Sequence, residues 1–473
     1  MRRDRIVPLI IAVALFMENM DSTVIATSLP AIATDIGTNP LALKLAVTSY
    51  LLSLAVFIPA SGWTADRFGA RTVFSAAIAV FMLGSIGCAL SSSLTDFVIA
   101  RIVQGMGGAM MTPVGRMVLV RTIDRRELIG AMAWVSTPAL IGPVLGPPIG
   151  GFITTYASWH WIFLINIPMG VLGIVLALRF IPDVRADERE RFDLVGMVLA
   201  GLGIAGVAFG LSVLGLNFLP LWIVVALVVG GACFIVAYLA HARRIANPVL
   251  DLTLFRLPTF FSSVVGGFIF RLGLGALPFL LPLMLQIGFG MTPFQSGLVT
   301  FATALGAFGM KWATTWILRA YGFRNVMTIN AVVSAVFLGV CAFFTAETPI
   351  WVMLLLLFVG GFFRSLQFTS INTLAYAEVD PQRAGRATSL VSVAQQLAIS
   401  SGVAVGAMAV EFTLHLRGGT TFDAADFPPA FLAVAVVSGL SVFFFARLAP
   451  DAGAEMSARP SLVAAEPQEK RAS

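Results

Sequence analysis

The residues of this sequence that could do chemistry are charged side chains placed inside long apolar runs. A lone charge in an apolar environment is costly, so an ionisable group there is a functional hypothesis by default. Such groups can take up and release a proton or recognise a charged ligand. Eight of them lie within the runs: Glu18, Asp21, Glu411, Arg101, Arg116, Arg271, Lys311 and Arg364.

Asp21 and Arg101 lie at similar depths in their runs. As helices, the runs would place Asp21 roughly 21 Å above the inner start of the first and Arg101 about 6 Å below the outer end of the fourth, in a core ~30 Å thick. We therefore expect an ion pair if the two helices are neighbours. Burial disfavours an ionised carboxyl and a nearby arginine favours it, so such a pair can exchange a proton. A static buried ion pair is the alternative.

Two further carboxylates lie inside the runs. Glu18 is three residues before Asp21 and shares its helix face. Adjacent carboxylates resist joint ionisation, so either residue could carry the proton, or the two could share one. Glu411 lies near the end of its run, which favours an interfacial or gating role over a part in coupling.

The second half of the chain carries buried cations without carboxylates. Arg271, Lys311 and Arg364 lie well inside their runs. Unpaired cations at that depth should face water or a bound anion, which favours an anionic substrate such as an organic acid over a lipophilic cation. The alternative is that these side chains snorkel or bind backbone carbonyls. Arg116 is close to the inner surface, which favours a structural role.

The elements that position these groups are membrane-spanning helices. Of the 473 residues, 58% are hydrophobic and 11% charged, and the mean hydropathy is +0.93. A soluble protein carries about a quarter charged residues. The runs are long and continuous rather than alternating, which predicts an all-α integral membrane protein. Fourteen runs are long enough to span, at 7–30, 45–64, 72–91, 97–118, 130–154, 160–181, 193–214, 219–240, 259–287, 295–318, 325–345, 350–374, 387–412 and 428–447.

The distribution of basic residues predicts the orientation. With the N-terminus inside, 23 Lys and Arg residues fall in inner loops and tails and only Lys44 and Arg417 fall outside. This asymmetry is the positive-inside pattern, and it predicts a multi-pass membrane protein with both termini cytoplasmic. The first run is too long for a signal peptide, so we expect it to be an uncleaved span.

A weak internal repeat divides the chain. Residues 63–71 and 316–324 both carry Trp, Gly and Arg at the same spacing, and duplicated halves are typical of transporters. The predicted organisation is a six-helix half at 1–181, two inserted helices with linkers at 182–258, a second six-helix half at 259–447 and a disordered cytoplasmic tail at 448–473.

Five stretches resemble signatures of the major facilitator superfamily, specifically its fourteen-span drug:proton antiporters of the EmrB/QacA type. The similarity extends through 271–286 and 368–374, where the chain most resembles MdtD-like and HsrA-like members. Arg319 stands where the family pattern expects an acidic residue, so a symmetric second gate is not expected. The five stretches are residues 20–30, 62–71, 101–109, 142–151 and 159–170.

The resemblance implies the major facilitator fold, a location in the bacterial inner membrane and roles for particular residues. It favours Asp21 over Glu18 as the proton carrier, next to Arg101. It implies a cytoplasmic gate at Asp66, Arg67 and Arg71, for which a purely topogenic role of the arginines is the alternative, and a bendable fifth span at Gly142, Pro143 and Gly146. The predicted substrate cavity contains Arg271, Lys311, Arg364, Gln104, Asn166, Asn372 and Gln395.

The predicted function is proton-coupled export of small organic compounds or drugs by alternating access. Export of organic anions such as carboxylates is the alternative. No P-loop occurs, which argues against ATP hydrolysis, and no catalytic set converges, so we expect neither an enzyme nor a cofactor. Scattered cysteines and histidines predict no metal site or disulfide framework. The expected partners are a small-molecule substrate, protons and the bilayer, without nucleic acid, and we expect a monomer.

Overall fold

The described part of the chain consists of helices joined by turns and short connections. The computed structural model describes residues 3–123, 128–182, 192–213, 219–245, 247–419 and 421–457, and no strand occurs within those ranges. The α-helices are α1 Arg3–Val24, α2 Leu29–Ile36, α3 Lys44–Phe57, α4 Ser61–Phe68, α5 Ala70–Ala89, α6 Leu94–Thr122, α7 Leu128–Tyr156, α8 Trp161–Leu164, α9 Asn166–Phe180, α10 Leu194–Val213, α11 Leu221–Ala242, α12 Pro258–Phe261, α13 Gly267–Leu283, α14 Pro293–Tyr321, α15 Phe323–Val340, α16 Ile350–Leu374, α17 Ala384–Arg417, α18 Phe427–Gly439 and α19 Val442–Ala446.

Short irregular helices join or extend several of these. Two π-helical segments, Ser262–Gly266 and Met284–Gly288, flank α13 on either side. Such segments occur often at functional sites. The 3₁₀ segments are Ile25–Thr27, Pro40–Leu43, Ile58–Ala60, Leu252–Arg256, Cys341–Phe343, Pro381–Arg383, Ala424–Asp426 and Glu455–Ser457.

Each apolar run predicted to span the membrane coincides, over its described residues, with one helix or with consecutive helical segments. Twelve helical segments in the described part of the chain are long and apolar enough to cross a membrane. The other two predicted spans correspond to α7 and α14, which are 29-residue helices outside those twelve.

The start of the predicted disordered tail is structured. Leu448 is buried, and Gly453 lies against Leu374 and Phe323. Residues 448–457 therefore pack on the second half of the chain, because this stretch still carries apolar side chains. The rest of the predicted tail, 458–473, lies outside the described residues.

The two halves of the chain repeat one packing pattern. In the first half, α1 packs on α7, α3 on α6 and α5 on α6; in the second, α13 packs on α17, α14 on α16 and α15 on α16. The contacts between halves are also reciprocal, since α7 packs on α14 and α3 on α17. The repeat seen in the loop sequences thus extends to the helix packing.

The hydrogen bonds and ion pairs between the halves cluster at one end of the bundle. We call this the Lys44 end; the opposite end is the Arg67 end. Among the described residues the contacts are Lys44–Glu411, Gln286 Nε2 donating to the Thr27 carbonyl at 2.9 Å, and the Phe294 amide donating to Thr155 Oγ1 at 3.1 Å. The halves are therefore joined by polar contacts at the Lys44 end.

Helices α10 and α11 form a hairpin outside this pattern. They pack on each other, and α10 also contacts α3 and α17. Large apolar side chains such as Leu221, Trp222 and Val236 stay exposed on α11. An apolar outer surface of this kind is what a hairpin facing lipid requires.

Candidate functional site

Asp21 and Arg101 form an ion pair in the interior of the first half. Asp21 lies on α1 and Arg101 on α6, and Arg101 Nη1 is 2.8 Å from Asp21 Oδ2. Their side chains are 0% and 1% exposed. The contact expected from their depths is present because α1 and α6 are neighbours in the bundle.

Two amides complete the environment of the Asp21 carboxylate. Gln104 Nε2 and Asn166 Nδ2 each donate to Asp21 Oδ1 at 2.9 Å, and both also contact Ser85 Oγ, at 2.8 and 3.2 Å. The sequence interpretation assigned Gln104 and Asn166 to the substrate cavity. The structure holds both fully buried and hydrogen-bonded to Asp21, because a buried carboxylate needs more than one donor, and their part in substrate binding stays a prediction.

The Arg101 side chain contacts three groups in addition to Asp21. Its Nη1 donates to Gln104 Oε1 at 2.6 Å, its Nε reaches the carbonyl of Ala46 at 3.5 Å, and its guanidinium lies 4.2 Å from the centre of the Tyr50 ring. Ala46 and Tyr50 both belong to α3. Arg101 thus links the carboxylate on α1 to α3, one of the helices that contact the second half of the chain.

Glu18 has a different environment from Asp21. It is partly buried, and Thr112 Oγ1 donates to its Oε2 at 2.8 Å. Among the described residues no hydrogen bond joins Glu18 to Asp21, and no cation lies within ion-pair distance of Glu18. The two carboxyls therefore do not share a proton in this arrangement.

The second half contains two buried guanidinium groups next to an aromatic ring. Arg271 Nη2 donates to Asn372 Oδ1 at 2.7 Å, and its guanidinium lies 5.4 Å from the centre of the Phe368 ring. Arg271 Nε is buried without a hydrogen-bond partner in the described part of the chain. Arg364 is also buried and lies one turn before Phe368, so Arg364, Phe368 and Asn372 share one face of α16.

The remaining residues predicted for the substrate cavity do not join this cluster by polar contacts. Lys311 is exposed on α14, and Gln395 is partly buried on α17. Neither has a hydrogen bond or ion pair with another residue of the described ranges. Lys311 is exposed while Met310 beside it is buried, which agrees with a cation that faces water, and its place in the substrate cavity stays a prediction.

At the Arg67 end, the predicted gate residues Asp66 and Arg67 contact other residues instead of each other. Asp66 Oδ1 lies 2.7 Å from Arg121 Nη2 at the end of α6. The Arg67 guanidinium lies 5.8 Å from the centre of the Trp63 ring. Within the described residues, no ion pair joins Asp66 to Arg67 or Arg71. The carboxylate instead connects α4 to α6, because a nearer cation is available there.

The glycine and proline cluster of α7 allows close packing on α1. A Cβ at Gly142 would stand 3.0 Å from the carbonyl oxygen of Phe16, and one at Gly146 would overlap the Thr23 side chain. Pro143 lies between these two close contacts, and α7 continues through its prolines as a helix. These residues thus set the spacing between α1, which carries Asp21, and α7.

Several residues of these clusters were missed by sequence reasoning. Ser85, Tyr50 and Thr112 are neutral residues in apolar runs, where composition gives no signal. Lys44 was assigned to an outer loop, but it begins α3 and is fully buried against Glu411. Its position directly before an apolar run was the one available signal.

The described residues hold no group of three or more His, Cys, Asp or Glu that could bind a metal ion. Cys88 and Cys341 are buried as free thiols, and Cys233 is an exposed free thiol.

Comparisons with known proteins agree with this architecture. Residues 11–262 and 263–468 each match the family model described as Major Facilitator Superfamily. MdtD of Salmonella typhimurium strain LT2, named for multidrug resistance, is 39% identical over 448 residues, covering 93% of this chain and 94% of that protein. MdtD of Salmonella heidelberg strain SL476 matches to the same extent.

Solved structures share the fold at low sequence identity. A D-xylose-proton symporter aligns with a TM-score of 0.67 at 16% identity, covering 95% of this chain and 98% of that one. The human organic anion transporter MFSD10 aligns with a TM-score of 0.61 at 14% identity, covering 94% and 100%.

The family model, the relatives and the shared fold confirm the predicted superfamily and argue for a transporter rather than an enzyme. The chain therefore belongs to the Major Facilitator Superfamily and is a multi-pass membrane transporter.

Proposed function

We propose that this chain is a proton-coupled exporter of small organic compounds or drugs that works by alternating access. The observation that carries the proposal is the Asp21 carboxylate, buried with Arg101, Gln104 and Asn166 at the centre of the first half. The relatives named for multidrug resistance favour drugs and similar compounds as substrates.

Protonation of Asp21 would change which contacts the cluster can make. A proton on Oδ2 removes the charge that holds Arg101, and a proton on Oδ1 turns an acceptor of two amide N–H groups into a donor. Asn166 Oδ1 is buried without a hydrogen-bond partner in the described ranges. A rotation of this amide would present an acceptor to the protonated carboxyl. The cluster can therefore accommodate both charge states, unlike a purely static ion pair.

We further propose fourteen spans, with α7 and α14 added to the twelve segments that qualify by hydropathy. The excess of Lys and Arg in loops at the Arg67 end supports a cytoplasmic location of that end and of both termini. The Lys44 end then faces outward, and the polar contacts between the halves close it. In the proposed inner-membrane location, the chain acts as a monomer.

The alternative is export of organic anions, and a specific observation favours it. Arg271 and Arg364 are buried on neighbouring helices, and neither has an acidic partner among the described residues. Arg271 Nε is buried without a hydrogen-bond partner among the described residues, so it could donate to a carboxylate oxygen once movement of the helices gives a ligand access. Phe368 would pack against the apolar part of such a ligand.

Proton movement in proteoliposomes tests both versions. Liposomes containing the full chain receive a pH gradient, and an internal pH dye reports proton flux after addition of organic anions or, separately, lipophilic cations. Flux triggered by a cation supports the drug exporter, and flux triggered by an anion supports the alternative. Transport of either class that leaves the internal pH unchanged would contradict proton coupling.

A further inference from the structure

One ion pair joins the two halves of the molecule in the described part of the chain. Lys44 Nζ lies 3.2 Å from both carboxylate oxygens of Glu411. Lys44 begins α3 in the first half, and Glu411 lies near the end of α17 in the second. The side chains are 0% and 19% exposed.

The burial of Lys44 makes this contact more than a surface ion pair. An exposed pair contributes little because water replaces each partner. A buried ammonium that loses its carboxylate remains uncompensated, which is strongly unfavourable. Separation of α3 from α17 at the Lys44 end must therefore break the pair and admit water to both groups.

Helix α3 also supports the Asp21 cluster. Within its first two turns it carries Lys44, the Ala46 carbonyl that accepts from Arg101, and the Tyr50 ring beneath the guanidinium. The ionisable groups around Asp21 are Arg101 on α6, Tyr50 on α3, Cys88 on α5 and Glu18 on α1. Of these, Arg101 contacts both the carboxylate and α3.

We propose that the Lys44–Glu411 pair is a latch that holds the two halves together at this end, and that the charge of Asp21 reaches the latch through Arg101 and α3. The second part rests on the proposed function, because it takes Asp21 as the group that gains and loses the proton. The first part concerns the latch alone.

A distance measurement across the Lys44 end tests the latch. Spin labels at Ser92→Cys and Ala346→Cys, both exposed and in opposite halves, report the separation in lipid nanodiscs by double electron–electron resonance. The background carries Cys233→Ser, which removes the exposed native thiol. We expect Lys44→Met and Glu411→Gln each to raise the ratio of long to short distances about a hundredfold or more.

Two controls separate a latch from general damage. The charge-exchanged variant Lys44→Glu/Glu411→Lys should restore the short distance. Arg417→Gln removes an ion-paired cation at the same end but within one half, and should leave the distances unchanged. The latch is refuted when Lys44→Met and Glu411→Gln keep the distance distribution of the parent protein, or when the exchanged variant behaves like the single ones.

The coupling to Asp21 is tested by combining variants. Asp21→Asn should change the long-to-short ratio about fivefold or more when the latch is intact, and leave it unchanged within error in the Lys44→Met background. An equal effect in both backgrounds would refute transmission through the latch. Uphill transport by Asp21→Asn would instead contradict the proposed function, and it would leave the latch result standing.

Discussion

The Asp21 carboxylate is in contact with three buried polar side chains, those of Arg101, Gln104 and Asn166. Arg101 neutralises its charge, and two amides satisfy the oxygen that Arg101 does not contact. A buried charge is tolerated only when it is both paired and hydrogen-bonded. The same contacts define what changes when a proton arrives.

We expect Asp21→Asn to abolish proton-coupled transport while the protein still inserts and folds. Asparagine keeps the shape of the side chain but removes the titrating group and the charge that holds Arg101. The measurement is substrate-induced proton flux in proteoliposomes. Asp96→Asn, at an exposed carboxylate on α6, is the matched control and should transport normally. Near-normal uphill transport by Asp21→Asn would rule out its coupling role.

If the substrate is an anion, Arg271→Ala should weaken its binding about tenfold to a hundredfold, because a hydrogen bond to a charged group contributes ~1.5–3 kcal/mol. Arg271→Lys should recover part of the loss, since lysine keeps the charge without the planar fork. Substrate titration by isothermal calorimetry gives the affinities. Arg319→Ala, at an exposed cation near the end of α14, provides the comparison, and equal losses in Arg271→Ala and Arg319→Ala would contradict a specific site.

At the scale of helices, close backbone approaches decide how the halves meet. A Cβ at Gly297 of α14 would overlap the carbonyl oxygen of Pro147 on α7, and one at Gly151 would overlap that of Pro293. These glycines allow α7 and α14 to touch along their backbones. Small residues serve this purpose in membrane helices generally.

In Gly297→Leu, the added side chain should force α7 and α14 apart at the Lys44 end. We therefore expect the free energy of unfolding to fall by about 1–3 kcal/mol and the melting temperature to fall as well. Gly309→Leu is the matched control on the same helix, because a Cβ there meets nothing within 4 Å. Thermal unfolding in detergent, followed by tryptophan fluorescence, gives both values. Equal melting temperatures for the two variants would show that the α7–α14 contact does not limit stability.

The connection between α11 and α12 is anchored by Asp251. It accepts from Thr253 Oγ1 at 2.6 Å and from Arg383 Nη2 at 2.7 Å, which ties this connection to the loop before α17. Burial alone would raise the pKa of Asp251, but hydrogen bonds from Thr253 and Arg383 outweigh it and hold the pKa below its ordinary value of 3.8.

A lowered pKa in the folded state means that the ionised form stabilises the fold. The stabilisation is complete above the unfolded pKa and is lost as pH falls through the folded value. We expect Asp251→Asn to lower the free energy of unfolding by about 1 kcal/mol at pH 7, with the deficit shrinking as pH falls below 3.8. Thermal unfolding across pH measures it. Glu347→Gln, at an exposed carboxylate, should show no deficit, and a deficit of Asp251→Asn that persists unchanged at low pH would contradict the assignment.

At the scale of the whole molecule, the proposed fourteen spans would place alternate loops on opposite sides of the membrane. Glu347, between α15 and α16, is exposed at the Lys44 end, and Gln382, between α16 and α17, is exposed at the Arg67 end. In a Cys233→Ser background, we expect an impermeant maleimide to label Glu347→Cys but not Gln382→Cys in intact cells. Labelling of Gln382→Cys alone would contradict the orientation, and labelling of both or neither would contradict the span count between them.

The sequence by itself determined the membrane class, the positions of the long apolar helices and the similar depths of Asp21 and Arg101 along theirs. These properties depend on hydropathy and on a fixed rise per residue, which are local. The contact between Asp21 and Arg101 could be predicted for the same reason. The depth of a residue along a helix follows from its position in the sequence and does not depend on how the helix is rotated.

Only the tertiary structure decided which way each side chain turns and which helices touch. Gln104 and Asn166 are hydrogen-bonded to Asp21, Lys311 is exposed while Met310 beside it is buried, and Lys44 is buried against Glu411. Helix rotation and helix neighbours follow from packing between residues far apart in the chain. A run that is apolar on every side has no distinct hydrophobic face that would indicate its inward side. The rotation of such a helix about its axis is therefore set by its packing contacts in the folded bundle.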